Sequence, residues 1–313
     1  MGDNLAIPIE IDGGVRLTDW ALLRAHGADA AAFLQGQLTQ DVLDLPADEA
    51  RFSGYCSAKG RLLASFIVWR SAPDELSMLC SADLAATVRK RLSMFVLRAR
   101  CRIDDLSDAW SVFGLAGDSA AQYLRDDVAP WHVRPGDTGW LVGLPTVQGT
   151  RRWLLVQPSG QAAPTLPAVD PASWQLLDVL SGVPRIVAAT AERFVPQMVN
   201  FELVGGVHFQ KGCYPGQEVV ARSQYRGTIK RRMHLFATTG LAQPGQEVFH
   251  SDDPVQPAGL VVNAANVNGV GTRLLAEVKL AALNSGRLHL GSASGPMLQP
   301  LSLPYPITDL AHA

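Results

Sequence analysis

Residues 211–222 read Lys211-Gly212-Cys213-Tyr214-Pro215-Gly216-Gln217-Glu218-Val219-Val220-Ala221-Arg222, a stretch that stands apart from the rest of the chain. Two glycines and a proline so close together impose a tight, non-repetitive turn. That turn displays a thiol, a phenol ring and an ammonium group. Glu218 then falls in the first turn of a predicted helix, where a carboxylate meets the positive end of the helix dipole. From the residues alone two readings stand side by side. One is a loop punctuated by turn formers, with Cys213 as a small buried hydrophobe; the other is a functional thiol. Between His208 and His234 the sole acid is Glu218, against Lys211, Arg222, Arg226, Lys230, Arg231 and Arg232. Cations beside a helix start are the surroundings that favour a thiolate.

Outward from this stretch, Cys56, Cys80 and Cys101 sit in apolar or strand-like patterns and read as structural. With no Cys-x-x-Cys pair, the sequence argues against a disulfide scaffold or a zinc ribbon and for reduced thiols. The 7 histidines are dispersed, so no preformed metal site is expected. The chain has 313 residues, 47% of them hydrophobic, enough for one large core or a few smaller ones. A net charge of −2 supplies no global field to recruit nucleic acid or a membrane. Residues Met1 to Gly14 lack the basic and apolar regions of a signal peptide, and no run approaches the roughly 18 apolar residues of a membrane span. A cytoplasmic location without membrane contact is the expectation. There is no Walker loop, nucleophile elbow or His-Glu-x-x-His motif.

Hydrophobic spacing predicts a short helix ending near Gln35-Gly36, strands over 52–57, 61–70 and 76–80, and a helix over 82–92. Phe95, Leu97, Ala99, Cys101 and Ile103 alternate with Val96, Arg98, Arg100 and Arg102, which predicts a strand with one largely basic face. Strands over 111–115, 140–144 and 152–157 surround a helix over 119–124, so the pattern is α+β with antiparallel sheets. Residues 158–171 read as a linker and 172–180 as a helix stopped by Gly182 and Pro184. After Arg232 the texture becomes short apolar runs split by Gly, Pro and Asn, the pattern of a small β-barrel or sandwich, with a boundary near Met233.

Lys211 to Glu218, Lys-Gly-Cys-Tyr-x-Gly-Gln-Glu, resembles the signature of the YgfZ family of folate-binding, glycine-cleavage T-protein-like proteins. The flanks agree: Gly182-Val183-Pro184-Arg185, Phe194-Val195-Pro196-Gln197 and Asn200 before it, Tyr225-Arg226-Gly227 and Lys230-Arg231-Arg232 after it. Near the start, Phe33 to Thr39 with Asp41, and Cys56-Ser57-Ala58-Lys59-Gly60-Arg61, resemble the family's other hallmark stretches. The resemblance implies a T-protein-like α+β fold: interleaved subdomains around a central folate cavity, plus a C-terminal β-barrel. Residues 1–232 would form the folate-binding region, its second subdomain near 106–170, and residues 233–313 the barrel. It implies tetrahydrofolate or a derivative as cofactor. Its candidate contacts are Lys211, Tyr214, Gln217, Glu218, Arg222, Tyr225, Arg226 and Arg98, with the tyrosines against the ring and the arginines on the glutamate tail. For Arg98, Arg100 and Arg102 an ordinary solvated sheet face is the competing reading.

Two departures set the chain apart from the T-protein. Ala64 and Ser65 stand where the T-protein has its pair of aspartates, and Leu180 stands where a glutamate grips the pterin, with Asp178 nearby. Loss of the acid removes a proton-handling partner worth roughly 10²- to 10⁴-fold in rate, so aminomethyl transfer is not expected. The resemblance further implies an accessory role for iron–sulfur enzymes, including those that methylthiolate tRNA, with Cys213 as the functional thiol. The alternative is a folate-dependent one-carbon transferase or demethylase using Asp41 or Glu202. Direct tRNA binding through Lys230-Arg231-Arg232 ranks last, because aromatic interleaving is thin.

Overall fold

The computed structural model describes residues 10–125, 128–225, 229–269 and 271–307. Its strands form three antiparallel sheets. The chain starts one sheet with Gly13–Arg16, then leaves to build a second from Trp20–His26, Ala50–Cys56, Leu62–Ala72, Glu75–Ser81 and Arg102–Asp105. It returns to the first with Trp110–Ala116, Val133–Pro135, Trp140–Val147 and Thr150–Pro158. This exchange of strands is the interleaving expected of the fold class. In Leu62–Ala72 the run Phe66-Ile67-Val68-Trp69 is buried throughout, as a strand covered on both faces requires. One cover is the helix Ala82–Phe95, which buries Leu84, Ala85, Val88 and Leu92 at helical spacing.

Helix Pro171–Leu180 begins with Asp170 accepting from the Ser173 amide at 3.3 Å, and with proline in the first turn. Its Trp174 is buried against the strand Trp110–Ala116, where a Cβ on Gly114 would lie 2.6 Å from the indole. The segment expected to be a linker has no helix or strand over residues 159–170 and lies beside the first strand. Gly14 donates to the Pro167 carbonyl at 2.8 Å, and the Val169 amide donates to Gly14 at 3.0 Å. Gly13 (φ 134°) has no room for a Cβ, which would sit 2.0 Å from the Pro167 oxygen.

The third sheet runs from Arg231–Thr238 to Gln299–Leu301 and curls. Its edge strand Leu288–Leu290 meets the residues leading into Gln299–Leu301, through Leu298 N to Leu288 O at 2.8 Å and Leu290 N to Pro296 O at 2.9 Å. Those bonds draw the two edges together, which is how an antiparallel sheet disposes of its unpaired groups.

One expected element is absent. The strand read over Phe95–Ile103 is the last residue of a helix, a turn, and then the strand Arg102–Asp105. Phe95 and Leu97 are exposed while Cys101 and Ile103 are buried, so the alternation spans two different elements and only its end lies on a strand. Arg98 therefore lies in a surface turn, with Arg100 paired to Asp29 beside it.

Candidate functional site

The first two sheets and the end of helix Pro171–Leu180 converge on a narrow cleft of about 40 Å³, open at one side. Its aromatic wall comes from Trp20, Phe52, Phe66 and Trp131. Phe52 and Trp131 stack at 5.8 Å with 26° between planes. Trp131 adopts a left-handed backbone (φ 60°), a costly choice for a bulky residue, and is locked by Ala50 N to Trp131 O and Trp131 N to Gly143 O, both 2.9 Å.

The polar wall is Arg152, Asp178 and Arg185. Arg152 is buried, donates to Asp178 Oδ1 at 2.6 Å and to the Pro145 carbonyl at 3.0 Å, and lies over the Trp174 ring. Burial lowers its pKa, and Asp178 opposes that shift. Arg185 bonds Asp19 and covers the Trp20 ring at 4.8 Å. Ser65 lines the same cleft, and its hydroxyl accepts from the Ile186 amide at 2.9 Å. Among the described residues, Trp20 Nε1 and Arg185 Nη1 are buried without a hydrogen-bond partner. A flat ring with acceptor edges and an anionic end fits these donors and aromatic faces.

The signature turn lies elsewhere. Gly216 (φ 78°) sits on Gly60 (φ 70°), where a Cβ on Gly216 would lie 2.4 Å from Ser57 O and 2.6 Å from Gly60 Cα. Lys211 is buried, donates to the carbonyls of Gln35 and Leu38 (2.6 Å to the latter), and lies 5.2 Å from the Tyr214 ring centre. Desolvation lowers its pKa to about 8. Tyr214 is buried too, which pushes its phenol up. All three hallmark stretches, 33–41, 56–61 and 211–218, are thereby tied into one knot. Cys213 is exposed on it, while Cys56, Cys80 and Cys101 are buried.

Among the described residues, none of those expected to hold folate lines the cleft. Lys211 and Tyr214 hold the knot together. Gln217 starts the helix Gln217–Tyr225, Glu218 and Arg222 pair with each other at 2.6 Å on its exposed face, and exposed Tyr225 meets Phe209 edge-on. Arg98 is in the surface turn described above, and Arg226 lies outside the described residues. Asp41 caps its own turn, accepting from Leu43 and Asp44, and Glu202 is buried against Arg232 at 2.5 Å. Arg232 is buried and Arg231 is bonded to Glu277, so the basic run presents no continuous phosphate-binding face. Sequence reading missed Trp20, Phe52, Trp131, Arg152 and Arg185 as one site, because each comes singly from a different segment. Among the described residues no cluster of three or more His, Cys, Asp or Glu could hold a metal ion, and no helix is long and apolar enough to cross a membrane.

Interleaved sheets, a curled C-terminal sheet and a cleft at their junction define a T-protein fold. The glycine-cleavage aminomethyltransferase T of Bartonella henselae superposes with a TM-score of 0.76 at 16% identity, over 95% of this chain and 87% of that one. Residues 16–133 match the model of the GCVT N-terminal domain. The tRNA-modifying protein YgfZ of Photobacterium profundum is 32% identical over 231 residues, 71% of this chain and 68% of that protein. The protein of the same name from Vibrio vulnificus (strain YJ016) is 33% identical over 251 residues, 78% of this chain and 74% of that one. The chain belongs to the YgfZ family.

Proposed function

We propose that this protein binds tetrahydrofolate, or a one-carbon derivative of it, in the cleft and supports tRNA modification by way of iron–sulfur enzymes, with Cys213 as its reactive thiol. The observation that carries this reading is the cleft's composition: four aromatic residues, a buried Arg152 paired with the partly exposed Asp178, and partnerless buried donors on Trp20 and Arg185. Trp20 and Trp131 would stack on the pterin and aminobenzoyl rings as the narrow cleft widens to admit them. Arg185 would take the carboxylates, a charge-assisted contact.

The same wall argues for binding over turnover. Asp178 is the one carboxylate among the described residues of the lining, and it is committed to Arg152. Ser65 is already an acceptor for Ile186 and cannot ionise near neutral pH as an aspartate does. Cys213 stands on the surface knot, open to a partner, which suits exchange with a disulfide or persulfide of a client protein. The relatives are named for tRNA modification; the iron–sulfur link and the cytoplasmic location follow from the family resemblance.

Two measurements separate the parts. Anaerobic titration with tetrahydrofolate, followed by tryptophan quenching, should saturate in the native protein and weaken at least about tenfold in Arg152→Met, the loss expected for a hydrogen bond to a charged group. Cys213→Ser should bind folate as the native protein does, yet fail to restore tRNA methylthiolation in cells lacking the protein. Turnover of a methylated amine by the native protein would instead favour the transferase alternative.

A further inference from the structure

The arginine-bearing segment that the cleft did not absorb forms a feature of its own. At the end of helix Ala82–Phe95 and in the turn beyond it, Met94, Phe95 and Leu97 are 65%, 48% and 87% exposed. Three apolar side chains within four consecutive residues make a contiguous patch, which a protein surface rarely leaves bare without use. Leu97 also holds a left-handed backbone (φ 40°). Glycine or asparagine would adopt that conformation at little cost, whereas leucine adds roughly 1–2 kcal/mol. The fold gains no burial from this leucine.

The turn is rigidly presented. Ala99 N donates to Val96 O at 2.8 Å, and Arg100 N donates to Asp29 Oδ2 at 2.7 Å, with the Arg100 side chain paired to the same carboxylate. Gly27 lets the two segments close, since a Cβ there would lie 2.3 Å from Arg100 O. Around the patch, Arg89, Lys90 and Arg98 are exposed, with no hydrogen-bond or ion-pair partner among the described residues. Lys90 lies one turn before Met94 on the same helix face.

We propose that this tip is a docking surface for a protein partner that offers an apolar anchor bordered by acidic side chains. Charge complementarity selects that partner: three unpaired cations frame the apolar residues, and Met, Phe and Arg are types that interfaces favour. RNA is a poorer fit, because Phe95 is the sole aromatic ring in residues 89–100 and stacking needs several. A lipid surface is poorer still, since the helix's apolar face is buried in the protein and only its tip is free. The inference goes beyond folate binding and does not depend on it.

The test places a benzoylphenylalanine photo-cross-linker at Met94 of the full-length protein in its native host, with the adduct mapped by mass spectrometry. The expected adduct joins Met94 to an acidic, apolar segment of another protein. Its yield should fall at least fivefold in Leu97→Gly, which keeps the turn but deletes the side chain, and in the pair Lys90→Glu and Arg98→Glu. Unfolding temperatures should not fall, because all three residues are exposed. The adduct should persist in Arg152→Met, which separates this proposal from the folate reading. An adduct to RNA, to lipid, to a second copy or to this chain's own N-terminal residues would overturn the proposal. So would a yield indifferent to charge reversal, or no adduct at all.

Discussion

Replacing Lys211 by methionine should change the pH dependence of stability in a way that reports its burial. The ammonium group is buried, with carbonyl partners on Gln35 and Leu38, and desolvation brings its pKa from 10.5 to about 8. In the unfolded chain the lysine returns to its ordinary value. Between those limits the unfolded state holds a proton that the folded state has released, so stability rises with pH across that window. At about 1.36 kcal/mol per pKa unit, the full gain is about 3 kcal/mol, complete near pH 10.5 and absent below about pH 8. Lys211→Met removes this contribution and leaves two carbonyls without their donor. The stability difference between native protein and variant should therefore widen by about 1.4 kcal/mol per pH unit at most between pH 8 and 10. Urea unfolding at half-unit pH steps measures it, and taking the difference cancels groups common to both proteins. Curves that stay parallel across the window would refute a buried, proton-releasing Lys211.

Other outcomes follow from the same contacts. Gly216→Ala combines a left-handed alanine, roughly 1–2 kcal/mol, with a Cβ driven into backbone atoms of Ser57 and Gly60; calorimetry should show a loss of at least about 2 kcal/mol. Glu202→Gln strands the buried Arg232 guanidinium and should cost about 3–5 kcal/mol, while the double change Glu202→Leu with Arg232→Met should cost less, which denaturant titration of the set will show. Trp174→Ala should lose about 3–5 kcal/mol by opening a void over Gly114, again by denaturant titration.

The fold was legible wherever local rules and tertiary packing agree. The spacing of Leu84, Val88 and Leu92 and the turn formers at Gly60 and Gly216 announced the helix and the two turns that the structure contains. Reading failed over Phe95–Arg100, where the alternation predicts a strand but Phe95 and Leu97 face solvent at a helix end and turn; only its end, with buried Cys101 and Ile103, leads into a strand. Residues 159–170 carry no helix or strand, as their composition predicts, but their hydrogen bonds to the first strand have no signature in the sequence. The hallmark stretches were found because each is contiguous, and the structure explains why they occur together, since Lys211 and Gly216 bind them into the knot that displays Cys213. The cleft stayed hidden for the opposite reason. Trp20, Phe52, Trp131, Arg152 and Arg185 are isolated in sequence, and only the exchange of strands between two sheets brings them to one wall.

The most direct test of the account is a crystal structure of the protein soaked anaerobically with tetrahydrofolate. Pterin density is expected against Trp20 and Trp131, in a cleft wider than in the free protein, with its polar edge on the Arg152–Asp178 pair. Density on Tyr225 and Arg222 with the cleft empty, or no density at a ligand concentration that saturates quenching, would contradict it.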